Sequence, residues 1–101
     1  SKILHINCEK GFILNDIKEL NSGIKVYGTE TSKYAIHKSM KTVKKDIYHC
    51  SPLNLPFNNH YFDFVLAIGV VYTLNLTDII ACLKEINRVS KGKSSFPFKS
   101  L

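Results

Sequence analysis

A carboxylate at the end of a short apolar stretch can accept hydrogens from two neighbouring hydroxyls at once, and Glu30 is placed that way. It follows IKVYG (24–28) and precedes Thr31 and Ser32. A second segment with chemical promise is ILHINCEKGF (3–12), an apolar run that breaks into polar residues and a glycine. Such a break turns a buried strand tightly into a helix, and in an open α/β sheet a nucleotide-like ligand sits beyond the carboxyl ends of the strands. A third grouping is His5, Cys8, His49 and Cys50. Imidazoles and thiolates suit zinc, but no pair here has finger-like spacing, so no metal is expected. Nothing marks an activated thiolate either, which argues against a Cys–His nucleophile.

These residues depend on the elements around them. Residues 3–6 read as a strand buried on both faces. Residues 11–21 read as a helix, with Ile13, Ile17 and Leu20 on one stripe. Asn21, Ser22 and Gly23 should stop it, with the glycine in the left-handed cap conformation. Residues 24–28 form a second strand of β-branched and aromatic residues. Ser32 is a good N-cap for a helix running through Met40, with Ala35, Ile36 and Met40 inward. Residues 46–49 read as a short third strand, and 51–60 as a loop broken by Pro52 and Pro56.

The run FDFVLAIG (62–69) is the strongest strand candidate, of the kind found at the centre of a parallel sheet. Asp63 sits at its entry and reads as structural rather than catalytic. Thr77 then caps a helix over 78–90, whose Ile79, Leu83, Ile86 and Val89 or Ile80 have helical spacing. Lys84 and Arg88 favour its carboxyl end through the helix dipole. Gly92 closes the helix, and Pro97 limits residues 94–101 to an edge strand or a tail. Strands alternate with helices, so the fold class is α/β: a Rossmann-like, mostly parallel sheet with helices on both faces, in one domain over 1–101.

Composition narrows the function classes. The chain has 101 residues, 45% hydrophobic and 22% charged, which is ordinary for a globular domain and too short for a second one. The three cysteines are odd in number and far apart, as expected of reduced thiols. No apolar run approaches the roughly 18 residues of a membrane span, and no signal peptide is evident, so a cytoplasmic protein without a membrane partner is expected. The net charge of +6 is concentrated in Lys33, Lys38, Lys41, Lys44 and Lys45. Such a patch could meet a nucleic acid, but it has no arginine or interleaved aromatic platform. A solvated helix face is the plainer reading, and nucleic acid is not the expected partner.

Four segments taken together resemble the class I S-adenosylmethionine-dependent methyltransferases of the small-molecule, type 11-like kind. ILHINCEKGF is similar to that family's first motif, hydrophobic-hydrophobic-D-x-G-x-G-x-G. VYGTETSKYAI (26–36) resembles its second strand and acidic tip. SPLNLPFNNHYFDFVLAIGVVYTL (51–74) resembles its D-A-x-x-L-P-F-x-D-x-S-F-D-x-V segment with the strand and turn that follow. LKEINRVSKGK (83–93) resembles the L-x-E-x-x-R-V-L-K-P-G-G helix end, and the order and spacing are right.

The resemblance implies the first half of that fold, cut off at or just into the fifth strand and lacking the C-terminal strand hairpin. It implies S-adenosyl-L-methionine as cofactor and a small molecule, such as a sugar or lipid precursor, as methyl acceptor. His5, Asn7, Cys8, Glu9 and Gly11 would back the methionine end. Glu30, with Thr31 beside it, would take the ribose hydroxyls, and Ser51, Pro52 and Leu53 would flank the adenine. Ala67, Ile68 and Gly69 would floor the site near the methyl group, and Tyr72 and Thr73 would shape the acceptor pocket; no catalytic base stands out.

The sequence departs from the family at several of these positions. His5 stands where an acid is usual, Asn7 and Glu9 where glycines are, and Ser51 replaces another acid. Tyr72 and Thr73 replace histidines common in the subgroup. The rival expectation is therefore a catalytically inactive binding or oligomerisation module of the same fold, with a homodimer formed through the truncated sheet edge.

Overall fold

A computed structural model describes residues 1–72 and 74–92 of the chain. Thr73 and the proposed edge strand at 94–101 lie outside the described residues.

Four strands form one parallel sheet in the order β3-β2-β1-β4: β1 Lys2–Ile6, β2 Lys25–Glu30, β3 Ile47–His49 and β4 Phe64–Leu66. Three helices accompany them: α1 Phe12–Leu20, α2 Lys33–His37 and α3 Leu76–Val89. The register sets Leu4 beside Tyr27 and Val65, and His5 beside Gly28 and Leu66. Side chains alternate along a strand, so these two rows face opposite sides of the sheet.

On one face Leu4, Ile6, Tyr27 and Val65 pack with Leu55, Phe62 and the α3 residues Cys82, Ile86 and Val89. On the other, Val26 and Ile47 pack with Leu14 of α1 and with Cys8 and Val43. Both faces are thus helix-covered, as the alternating pattern requires. Gly28 shows how tightly α1 sits, because a Cβ there would come within 2.5 Å of Leu14 Cδ1 and 2.7 Å of Cys8 Sγ.

Several local expectations are corrected. The run 62–69 is not a long central strand. Its ladder covers only Phe64–Leu66, paired with Ile3 to His5 of β1. Phe62 instead bridges to Ser90. Among the described residues β4 is an outer strand, leaving Phe64 and Ile68 more than half exposed beside a groove of about 300 Å³ lined also by Ile79 and Leu83.

α2 ends at His37 rather than Met40, although Ser32 does cap it, its Oγ accepting from Ala35 N at 3.1 Å. Asn75, not Thr77, caps α3 by accepting from Asp78 N at 2.9 Å. α1 ends without a left-handed glycine, since Asn21 is extended and its side chain accepts from Gly23 N. Asp63 is structural as expected, accepting from Lys2 N and pairing with Lys91. No described helix is long and apolar enough to cross a membrane.

Candidate functional site

The carboxyl ends of β1 and β2 are joined by one side chain. Glu30 is the last residue of β2 and only 6% exposed. Its Oε1 accepts from Glu9 N at 2.8 Å and its Oε2 from Ser32 N at 2.9 Å. One carboxylate therefore holds the turn after β1 and the start of α2 in a fixed relation. Each oxygen keeps a lone pair for a further donor, since a carboxylate has about four acceptor sites.

The turn itself keeps a glycine-like backbone without the glycines. Asn7 and Glu9 have φ of 56° and 54°, and Gly11 has φ of 82°. Asparagine adopts this left-handed region more readily than most residues; Glu9 adopts it while its N–H is held by Glu30. Cys8 N donates to Thr29 O at 2.9 Å and Gly11 N to Cys8 O at 3.0 Å, which closes the turn. Gly11 could not be replaced easily, because a Cβ would come within 2.6 Å of Val43 Cγ2 in a conformation that already disfavours one.

Three buried polar atoms here have no partner among the described residues: His5 Nδ1, Asn7 Oδ1 and Thr29 Oγ1. Buried polar groups are ordinarily satisfied, so unmatched ones toward the carboxyl ends of β1 and β2 leave acceptor capacity there, with His5 and Thr29 on opposite faces of the sheet. Burial keeps the His5 imidazole below its usual pKa, and the neighbouring Glu9 and Glu30 carboxylates oppose that only in part. It is thus a neutral acceptor rather than a cation near neutral pH. Burial, reinforced by Glu30, pushes the Cys8 thiol up to about 12, so it is no nucleophile.

The remaining expected residues are placed less uniformly. Thr31 is exposed, and its carbonyl accepts from His49 Nε2 at 3.0 Å. Cys50 N donates to Glu30 O at 3.3 Å, which brings the 51–53 segment to the same end of the sheet. There Pro52 is buried and Leu53 half-buried, while the exposed Ser51 turns its Oγ back to accept from Leu53 N. Ala67, Ile68 and Gly69 lie in the turn beyond β4 rather than in a strand, and Ile68 is exposed. A Cβ on Gly69 would meet nothing within 4 Å, so packing does not require glycine there. Tyr72 is exposed.

Two site-building contacts escape sequence reading. Met40 N donates to Lys10 O at 2.9 Å, pinning the segment after α2 onto the turn. Arg88, expected to serve only the helix dipole, donates from Nη1 to Phe57 O and Asn59 Oδ1 and from Nη2 to Leu55 O, at 2.8–2.9 Å. Neither partner pair has a recognisable spacing, since the contacts span about thirty residues.

A parallel sheet with its ligand-ready turn after β1 and an acid ending β2 is common to several nucleotide-binding families. Residues 4–97, nearly the whole chain, match the methyltransferase-domain family. The chain belongs to that family. Among solved structures, this methyltransferase domain is similar to the PH0226 protein of Pyrococcus horikoshii OT3, at 23% identity and a TM-score of 0.80. That similarity covers 89% of this chain and 44% of the other. A SAM-dependent methyltransferase from Aquifex aeolicus is 17% identical with a TM-score of 0.73, over 89% of this chain and 50% of that one. The [4+2]-cyclase SpnF is 20% identical with a TM-score of 0.77, over 89% of this chain and 35% of its own. At these identities the likeness is one of fold: the first half of the class I methyltransferase architecture. The methyltransferase domain spans less than half of the first of these structures. No curated protein matches the sequence.

Proposed function

We propose that this methyltransferase domain binds S-adenosyl-L-methionine across the carboxyl ends of β1, β2 and β4 and serves methyl transfer to a small-molecule nucleophile. The observation that carries the reading is the state of Glu30: ionisable, buried, fixed by two backbone N–H groups at the end of β2, with acceptor capacity to spare. The residues present fit the group. Ribose hydroxyls would donate to Glu30, and the unpartnered His5 Nδ1 and Asn7 Oδ1 would accept from the ammonium-bearing end. Pro52 and Leu53 offer an apolar wall to the adenine. When bound, the cofactor supplies a methyl group on an electrophilic sulfonium. The chain's own contribution is to hold that group and exclude water, which in such transfers is chiefly proximity and orientation.

Calorimetric titration with S-adenosylmethionine and S-adenosylhomocysteine tests this. Micromolar binding that Glu30→Ala abolishes is expected. Absence of binding at millimolar ligand overturns the reading.

A second reading is a binding module of the same fold that transfers no methyl group. Glu9 favours it, because its carboxylate adds to that of Glu30 beside His5 and opposes the cofactor's own carboxylate. The likeness to a cyclase also suits it, since one fold supports different chemistries. Binding without turnover of any acceptor would favour this second reading.

Self-association along β4 belongs to the same proposal. Among the described residues, Phe64, Val65 and Leu66 pair on one side only and carry no charge and no proline, which suits pairing with a second copy.

A further inference from the structure

Beyond the 51–53 segment, the loop continues away from the strand carboxyl ends, and its residues Pro56–Asn58 and Tyr61 enclose a hollow of about 220 Å³ against Tyr27 of β2 and Tyr48 of β3. Its walls are aromatic: Tyr27, Tyr48, Phe57 and Tyr61, with Asn58 at the rim. Tyr48 and Phe57 meet edge to face with centroids 5.1 Å apart, and Tyr27 meets Phe57 and Tyr61 the same way at 6.0 and 5.6 Å. Tyr48 remains 42% exposed, so its ring has area free for a flat ligand.

Two ammonium groups stand against its rings without lining it. Lys2 Nζ stands 4.4 Å from the centre of the Tyr61 ring and Lys25 Nζ 5.7 Å from that of Tyr27. Among the described residues neither ammonium has a carboxylate partner; the nearby Asp63 is engaged by Lys2 N and Lys91. The Tyr27 and Tyr61 hydroxyls lie 2.9 Å apart. One donates to the other, so among the described residues the pair retains one O–H without a protein acceptor. Hydrogen bonding from Tyr27, with Lys2 and Lys25 close by, holds the Tyr61 phenol below its usual range, while burial holds that of Tyr27 above it, which makes Tyr27 the donor and leaves the spare O–H on Tyr61.

We propose that this hollow is a second binding site, for a small phosphate monoester carried on a flat ring. The ring lies against Tyr48 and Phe57, and the phosphate takes Lys2, Lys25 and the free phenol O–H. Aromatic faces bind flat rings with little regard to their identity, and ammonium groups recognise phosphate as point charges. Lys2 and Lys25 open their strands while Glu30 closes one, so this site and the Glu30 site lie toward opposite ends of the sheet and can be loaded independently.

Phenyl phosphate is the probe, titrated into the 101-residue chain and followed by the NMR resonances of the tyrosine and phenylalanine rings. Saturable shifts at Tyr48, Phe57 and Tyr61 are expected, with weaker binding of inorganic phosphate and of phenol alone. Lys2→Gln combined with Lys25→Gln should weaken phenyl phosphate about tenfold or more, the usual effect of losing charge-assisted hydrogen bonds. Tyr48→Ala should weaken phenyl phosphate while leaving inorganic phosphate unchanged. Glu30→Ala should leave it unaltered, which separates this site from the cofactor reading. Unmoved ring resonances at millimolar phenyl phosphate, or equal affinity in the double lysine variant, overturn the proposal. All of these substitutions are at exposed or half-exposed side chains except Glu30, and unchanged methyl resonances of the core residues Leu14 and Val43 on the other face of the sheet are the check that each free variant folds.

Discussion

The backbone N–H of Glu9 donates to Oε1 of Glu30 across 2.8 Å, and this bond ties the ends of β1 and β2 together. Glu30 therefore serves stability and, in the proposed cofactor reading, binding as well. Glu30→Ala should cost roughly 1–3 kcal/mol, the penalty for leaving part-buried donors unsatisfied, and should remove cofactor affinity. Glu30→Gln keeps one acceptor oxygen and should lose less of each. Urea denaturation and calorimetry on the same samples measure the two effects. Unchanged stability in both variants would sink the clamp.

Two glycines of similar appearance should behave oppositely. Gly28→Ala forces a methyl group against the buried Leu14 and Cys8 and should destabilise by about 1–3 kcal/mol, as overpacked cores do. Gly69→Ala meets nothing and should stay within about 0.5 kcal/mol. Denaturant midpoints decide, and equal effects would refute the packing account.

Stability should fall at both ends of the pH scale for identifiable reasons. His5 is buried neutral, with its folded-state pKa below the usual 6.5. The unfolded chain therefore takes up the proton first, and the His5 contribution is lost as pH falls below 6.5 toward the lowered value. Cys8 shows the reverse pattern: its thiol stays protonated in the fold up to about 12 but ionises from about 9 when unfolded. Stability should drop across that window, by up to about 1.4 kcal/mol per pH unit for one group. His5→Gln should flatten the acid limb and Cys8→Ala the alkaline limb. Limbs that do not respond would locate the effect elsewhere.

Arg88 should matter more than a helix-end cation does. It holds the carbonyls of Leu55 and Phe57 and the side chain of Asn59, so Arg88→Ala should cost roughly 1.5–3 kcal/mol, the range for hydrogen bonds to a charged group. Arg88→Lys should recover only part, since an ammonium cannot reproduce the planar fork. Amide exchange across 54–60 would report the released loop; no change there would refute the latch.

Self-association along β4 predicts a concentration-dependent sedimentation coefficient. Phe64→Lys adds a charge to the exposed edge and should abolish that dependence without lowering monomer stability, because Phe64 is 56% exposed. A wild-type chain that sediments as a monomer at all concentrations would end this reading.

The alternation of apolar runs with helical stripes was enough to specify a parallel α/β sheet, because each pattern commits its residues to one period. Glu30 and the 3–12 turn were legible as a site for the same local reason: an acid and a turn at strand ends. The length of β4 was not legible. Hydrophobicity marks 62–69 as an apolar run, but only the tertiary structure decides that its pairing with β1 stops after Phe64–Leu66 and leaves Phe64 and Ile68 exposed. Asn75 and Thr77 are both competent caps, and the choice between them depends on where the preceding turn delivers the chain.

The sequence by itself thus determined the fold class and the end of the sheet that carries Glu30 and the turn after β1. Only the tertiary structure decided how the turn survives without its glycines, with Glu30 holding Glu9 N from the neighbouring strand and Val43 packed over Gly11. It also decided that Tyr27, Tyr48, Phe57 and Tyr61 share one hollow, with Lys2 and Lys25 against two of its rings. The physical reason is the same in both cases. Local pattern fixes which residues are extended, helical or buried, whereas contacts between residues twenty to sixty positions apart arise only when strands align in register.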